Sequence, residues 1–203
     1  MIRIIDYGLG NVLAFLNAYN RMNIPCGVAK APADFADATH LILPGVGAFD
    51  HAMKMLSDSG MRDIVEQRVH GDKMPILGVC VGMQMLATRS DEGSLPGLGW
   101  VDAKVKGFRS WGRTDLRLPH MGWNDVRARA GSPLFEGLHE YARFYFLHSF
   151  YVAPAREESI AAVVDYGQEI CCAVSAGNVH GVQFHPEKSH DCGMRLLRNF
   201  SSI

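Results

Sequence analysis

The chain has 203 residues, 48% hydrophobic and 20% charged, with 20 Lys and Arg against 21 Asp and Glu for a formal charge of −1. That size and composition predict one globular domain over residues 1–203, and the near-neutral charge without any Lys/Arg run argues against nucleic acid or an anionic membrane as partner. No segment approaches the roughly 18 apolar residues of a membrane span and no signal segment precedes the first strand, so a cytoplasmic location is expected.

Short apolar runs at Ile2 to Ile5, Cys26 to Ala29, Leu41 to Leu43 and Ile76 to Val79 alternate with helix-period segments such as Val12, Leu16 and Tyr19. This pattern predicts βα units and a mostly parallel sheet in a three-layer α/β fold. Gly8-Leu9-Gly10-Asn11 follows the first strand like the start of a dinucleotide fingerprint, but the third glycine and the later acidic residue are missing, so no nucleotide cofactor is expected. From Trp100 onward the texture is β-rich, with strands expected at Val101 to Val105, Phe144 to Leu147, Ile160 to Val164, Cys171 to Val174 and Val179 to Gln183. Pro119 to Asn124 reads as a binding loop between strands. A last helix, Cys192 to Phe200, is expected to pack through Met194, Leu197 and Phe200.

Chemistry concentrates at Gly78-Val-Cys80-Val-Gly82, where a buried strand runs into an apolar helix. Glycines two positions either side of a thiol permit a sharp turn that projects Cys80 outward, and the helix after it aims unpaired N–H groups at the sulfur, favouring the thiolate. A thiol nucleophile needs a base and a group to orient that base. His185 ends an apolar strand, Pro186 stops the ladder, and Glu187 lies two residues on, at a spacing that reaches the far ring nitrogen. Cys80, His185 and Glu187 therefore form a candidate triad. The oxyanion donors expected are the Val81 amide and the loop Pro44-Gly-Val46-Gly47. His180, His185 and His190, five residues apart, match no metal spacing, so no metal is expected. Cys26, Cys171, Cys172 and Cys192 have neither an elbow nor a base beside them and read as reduced, packed or incidental thiols.

Gly78-Val-Cys-Val-Gly-Met-Gln84 together with His185-Pro-Glu187 resembles the class I, or triad, glutamine amidotransferase family. Asp6 to Asn11, Pro44 to Phe49, His120 to Asn124 and Phe184 to Ser189 resemble its branch serving imidazole glycerol phosphate synthesis. The resemblance implies that Cys80 attacks the side-chain amide of L-glutamine, releasing ammonia and then glutamate. It also implies that Gln84, Glu92, His148, Ser149 and Phe150 hold the substrate. Asn11, Trp123 and Lys188 would face a (βα)8 barrel synthase subunit that takes the ammonia through a tunnel in a heterodimer. The Val46 loop would need rearrangement, so activity without the partner is expected to be low. Val12, Ala14 and Asp102-Ala103 depart from the usual pattern and resemble paralogues that feed ammonia to a nucleotide-linked sugar in surface polysaccharide synthesis. A cysteine amidase or peptidase of the same fold, and a noncatalytic regulatory subunit, are further alternatives. Gln84 and Glu92 argue against a peptidase, and the complete triad argues against a noncatalytic role.

Overall fold

The computed structural model describes residues 1–112 and 115–203. Its first eighty residues alternate strand and helix as their apolar periodicity requires. β1 (Ile2–Ile5), β2 (Cys26–Ala29), β3 (His40–Gly45) and β4 (Ile76–Cys80) are short strands. Ile4, Ile5, Leu41, Ile42, Leu43, Ile76 and Leu77 are fully buried, as expected where helices cover both faces of a parallel sheet. α1 (Val12–Arg21) begins at Asn11, whose Oδ1 accepts the Ala14 N–H at 3.2 Å and so caps the helix. α2 (Phe49–Asp58) and α3 (Arg62–Glu66), the latter continuing into a π turn at Gln67–Gly71, carry the chain from β3 to β4.

α4 (Val81–Met85) follows β4 without a gap. Then come β5 (Arg89–Ser90), β6 (Ala103–Gly107), β7 (His120–Ala128), β8 (Ala142–His148), β9 (Phe150–Pro154), β10 (Ile160–Asp165), β11 (Glu169–Ala176) and β12 (Val179–Val182), closed by α5 (His190–Phe200). Nine strands make the main sheet in the order β2-β1-β3-β4-β12-β11-β10-β7-β8, and β5-β6-β9 make a small second sheet. Pairing is parallel from β2 to β12 and antiparallel from β12 to β8. The sheet is thus mixed: the mostly parallel arrangement expected from sequence holds for its first half.

Two local expectations are corrected, the loop at Pro119 to Asn124 and the packing of Met194. The segment read as a binding loop at Pro119 to Asn124 is, from His120 onward, the start of the nine-residue strand β7; its exposed positions alternate with buried ones because only one face meets the core. β9 departs from β8 after one residue, Ser149, and changes sheet there. In α5, Leu196, Leu197 and Phe200 are buried as the apolar face, while Met194 is only half-buried. Gly193 in that helix lies against the Pro186 carbonyl, which a Cβ would meet at 1.8 Å. Buried residues from both sheets join in one core, where Phe184 stacks on Phe144 at 4.1 Å between ring centroids. Among the described residues, no helix is long and apolar enough to cross a membrane.

Candidate active site

β4 lies between β3 and β12, so Cys80 emerges at the carboxyl edge of the parallel strands, where open α/β sheets leave a crevice. Its backbone has φ +57° and ψ −114°, a conformation that costs about 1–3 kcal/mol for a residue with a Cβ. The glycines around it allow that turn to sit against β3. A Cβ on Gly82 would meet the Leu43 carbonyl oxygen at 1.9 Å, one on Gly78 the Gly82 oxygen at 2.6 Å, and one on Gly45 the Gly82 nitrogen at 2.4 Å. The motif is therefore a packing requirement as much as a turn requirement.

Two expectations about the thiol change. Cys80 does not project into solvent: it is 5% exposed and forms part of the floor of a cavity. The helix after it has only five residues, too few to develop much of a macrodipole. The sulfur donates to the Leu147 carbonyl at 3.9 Å and accepts from Gln183 Nε2 at 3.8 Å, and the His185 imidazole is its further hydrogen-bonding partner.

His185 is held by its own backbone. Its N–H donates to the Tyr145 carbonyl at 2.8 Å, and its carbonyl accepts the Ser189 hydroxyl at 2.6 Å. The same hydroxyl accepts the Tyr145 N–H at 3.0 Å. The ring Nδ1 lies 2.8 Å from Glu187 Oε1, and both side chains are buried, at 6% and 2% exposure. Burial pushes the imidazole toward the neutral form, but the bonds to Cys80 and Glu187 and their charges outweigh it and raise its pKa to about 9. His185 thus carries its proton at neutral pH while facing the sulfur.

The cavity above Cys80 has a volume of about 370 Å³. Of the site residues expected from sequence it brings together Cys80, His185, Val46, Gly47, Val81, Gln84, Glu92, His148, Ser149, Phe150 and Lys188. Glu187 stands behind His185, outside the lining. His148, Ser149 and Phe150 reach the cavity because β8 ends and β9 begins there. Glu92 Oε2 accepts the Phe49 N–H at 2.9 Å, tying its loop to the start of α2 and so to the Val46–Gly47 turn, where Gly47 has φ +86°. Tyr7 fixes the other side of that turn by donating its hydroxyl to the Pro44 carbonyl at 2.7 Å. A larger open groove of about 870 Å³ beside Arg127 and Glu169 is lined by no cysteine, so size does not select the site.

Asn11, Trp123 and Lys188 are all exposed, though Asn11 is also the cap of α1. The Trp123 ring lies parallel to His190 at 5.0 Å and edge-on to Tyr145, over which Lys188 Nζ sits at 5.7 Å. Gln183, Tyr145 and Ser189 are positioned at the site and were not singled out from the sequence. A Gln at position 183 within the apolar run Val179 to Phe184 is the one signal the sequence carries; the structure buries it fully, and a buried amide needs partners. Gln183 finds them in Gln84 Nε2, which donates to its Oε1 at 3.0 Å, and in the Cys80 sulfur.

A buried Cys-His-Glu constellation on a strained elbow has relatives. The chain is 58% identical, over the full length of both, to the imidazole glycerol phosphate synthase subunit HisH of Bdellovibrio bacteriovorus, and 45% identical over both full lengths to that of Leptospira interrogans. Among solved structures, a crystal structure of a glutamine amidotransferase superposes with a TM-score of 0.76 at 21% identity, covering 100% of this chain and 99% of that one. The structure of PurLQS from Thermotoga maritima has a TM-score of 0.74 at 16% identity, over 99% and 97%. Residues 3–202 match the glutamine amidotransferase class-I family as a whole. With the elbow, the sheet and nearly every residue matched, the chain belongs to the class I glutamine amidotransferase family.

Proposed function

We propose that residues 1–203 form one glutaminase domain, the subunit of an imidazole glycerol phosphate synthase that hydrolyses L-glutamine in the cytoplasm and hands ammonia to a (βα)8 synthase subunit for histidine biosynthesis. The observation that carries this reading is the cavity itself: a thiol paired with a protonated imidazole on its floor, under a wall that offers the Gln84 amide and the Glu92 carboxylate. A carboxylate and an amide carbonyl suit the ammonium and amide N–H groups of glutamine.

The chemistry follows from the positions. The Cys80 thiolate attacks the side-chain amide carbon of glutamine, and the carbonyl oxygen becomes an oxyanion beside the Val81 N–H and the Val46–Gly47 turn. His185 gives its proton to the nitrogen, the C–N bond breaks, and ammonia leaves a glutamyl thioester on Cys80. Neutral His185, oriented by Glu187, then takes a proton from water as it attacks the thioester. Collapse of the second oxyanion releases glutamate and restores the thiolate. Asn11, Trp123 and Lys188 are assigned to the surface facing the synthase subunit, with Trp123 and Lys188 linked through Tyr145. The names of the full-length relatives do not favour a nucleotide-linked sugar as acceptor.

The test is labelling of Cys80 by a glutamine-mimicking electrophile in the complex with the barrel subunit. Protection by free glutamine, strong stimulation of hydrolysis by that subunit, and loss of glutamine-dependent but not ammonium-dependent synthesis in Cys80→Ala are the expected results. Labelling indifferent to glutamine, or loss with both nitrogen sources, would refute the assignment.

A further inference from the structure

We infer that His120 is a positioning residue for this pocket: backed by Asn124, it donates to the Nε2 lone pair of His148, holds that ring in place and so fixes the Phe150 carbonyl on which Gln84 is oriented. The inference rests on the reading of the cavity as the glutamine site.

The proton arrangement follows from a chain with a carbonyl at each end. His148 Nδ1 lies 2.8 Å from the Phe150 carbonyl, which only accepts, so the proton is on Nδ1. His148 is deeply buried; that burial, with His120 beside it, pushes its pKa down to about 3, so the ring is neutral and Nε2 carries a lone pair. His120 Nδ1, 2.9 Å away, must donate to that lone pair. His120 Nε2 is then an acceptor, and the Asn124 Nδ2 amide donates to it at 3.3 Å. The same NH2 group donates to the Asp165 carbonyl at 2.9 Å, while Asn124 Oδ1 accepts the Asp125 N–H at 2.8 Å. Two neutral imidazoles between two carbonyls require a group with two donors somewhere in the row, and Asn124 supplies it.

The His120 ring has no freedom to turn away. It is sandwiched between Tyr166 at 3.9 Å and Phe146 at 4.5 Å, both near parallel, and is 3% exposed. At the other end, the Phe150 carbonyl also accepts Gln84 Nε2 at 3.3 Å, and that amide nitrogen donates to Gln183 as well. With both N–H groups committed, Gln84 offers the substrate only its Oε1 acceptor. Removing the His120 donor orphans the His148 lone pair. The Phe150 carbonyl still holds the proton on Nδ1, so the buried Nε2 lone pair is left without a donor and the ring turns to regain one. The carbonyl shifts, and Gln84 shifts with it.

The experiment is 15N long-range imidazole NMR on the full chain together with glutaminase kinetics of the complex with the barrel subunit, comparing His120→Phe, which keeps the ring stack, with His120→Asn, which keeps a donor near the Nδ1 position. In the wild type His148 reads as Nδ1–H. In His120→Phe it stays Nδ1–H, its Nε2 resonance moves downfield to that of a lone pair without a donor, and KM for glutamine rises about tenfold, with the loss in kcat/KM carried by KM; His120→Asn restores both. An Nε2–H His148 in the wild type, which needs no variant, overturns the inference. So does an unchanged KM in His120→Phe, or a raised KM without a shift of the Nε2 resonance, which would assign the effect to packing. A wild-type complex that does not hydrolyse glutamine would refute the glutaminase reading instead.

Discussion

Glu187→Gln separates the charge of the triad from its shape. The carboxylate lies 2.8 Å from His185 Nδ1 in a site where both side chains are nearly inaccessible, and the exchange keeps volume while removing charge. The rise of His185 from 6.5 to about 9 corresponds to about 3 kcal/mol in favour of the imidazolium, gained against burial and shared between Cys80 and Glu187. Giving Glu187 half of that, the variant loses about 1.5 kcal/mol, a factor of roughly ten in the protonation equilibrium of His185. The glutamine amide also brings a donor to Nδ1, which favours the opposite tautomer and turns the Nε2 proton toward the sulfur. That misassignment raises the expected loss in kcat to the order of 10²–10⁴. Glu187 Oε2 is buried without a hydrogen-bond partner, so the flipped amide, with its nitrogen there, would leave a donor unsatisfied at a cost of about 1–3 kcal/mol, which favours the nitrogen at Nδ1. The assay is glutamine hydrolysis by the complex from pH 6 to 10, with ammonium-dependent synthesis as control. The wild-type alkaline limb is expected near 9, where His185 loses the proton the leaving nitrogen needs, and lower in the variant. Turnover within about threefold of wild type, or an unmoved alkaline limb, would refute the assignment of Glu187.

Gly82→Ala places a Cβ 1.9 Å from the Leu43 carbonyl oxygen, so the elbow or β3 must move by about 1 Å; glutaminase activity is expected to fall about 10²-fold and calorimetry to show a lower melting temperature, whereas wild-type values for both would dismiss the packing argument. Asp50 accepts the N–H groups of Ser94 and Leu95 at 2.9 and 3.0 Å and clamps the loop that carries Glu92; Asp50→Ala should raise KM for glutamine severalfold with little change in melting temperature, and an unchanged KM would free Asp50 of that role. Burial depresses His120, His148 and His180 to about 4, 3 and 4, so each stays neutral in the native state as the unfolded chain takes up protons below 6.5. Their contribution is complete above 6.5 and is lost as the pH falls toward 4, by up to about 4 kcal/mol per pH unit. His185, protonated in both states there, adds no slope. Urea titrations of the chain at pH 5 and pH 6.5 that gave equal stabilities would contradict this.

What the sequence reveals depends on how local the physics is. β1, β3 and β4 are legible because strands buried on both faces are uninterrupted apolar runs. β7 is not: one of its faces is open to solvent, so Met121, Trp123 and Asp125 point outward among polar neighbours and the segment looks like a loop. The candidate triad is legible for a similar reason. Gly78 to Gly82 and His185 to Glu187 each declare their geometry within five residues. Gln183 and His120 depend on partners 103 and 28 residues away, and no spacing rule reports such contacts.

The source of nucleophilicity is where structure changes the argument most. From sequence, a helix after Cys80 supplies the field that activates the thiol. A five-residue α4 sums too few peptide dipoles for that, and the Leu147 carbonyl, 3.9 Å away, presents a partial negative charge to the sulfur. Against it stand the Gln183 N–H and the His185 proton, and only the second is a full charge. On the proposed reading, activation therefore rests on His185 beside Cys80, brought together from β4 and the turn after β12, two elements that meet only because β12 pairs beside β4 in the sheet. A nucleophile made this way is as good as the register that makes it. A one-residue slip between β12 and β4 would carry His185 to another face while leaving the Cys80 elbow intact.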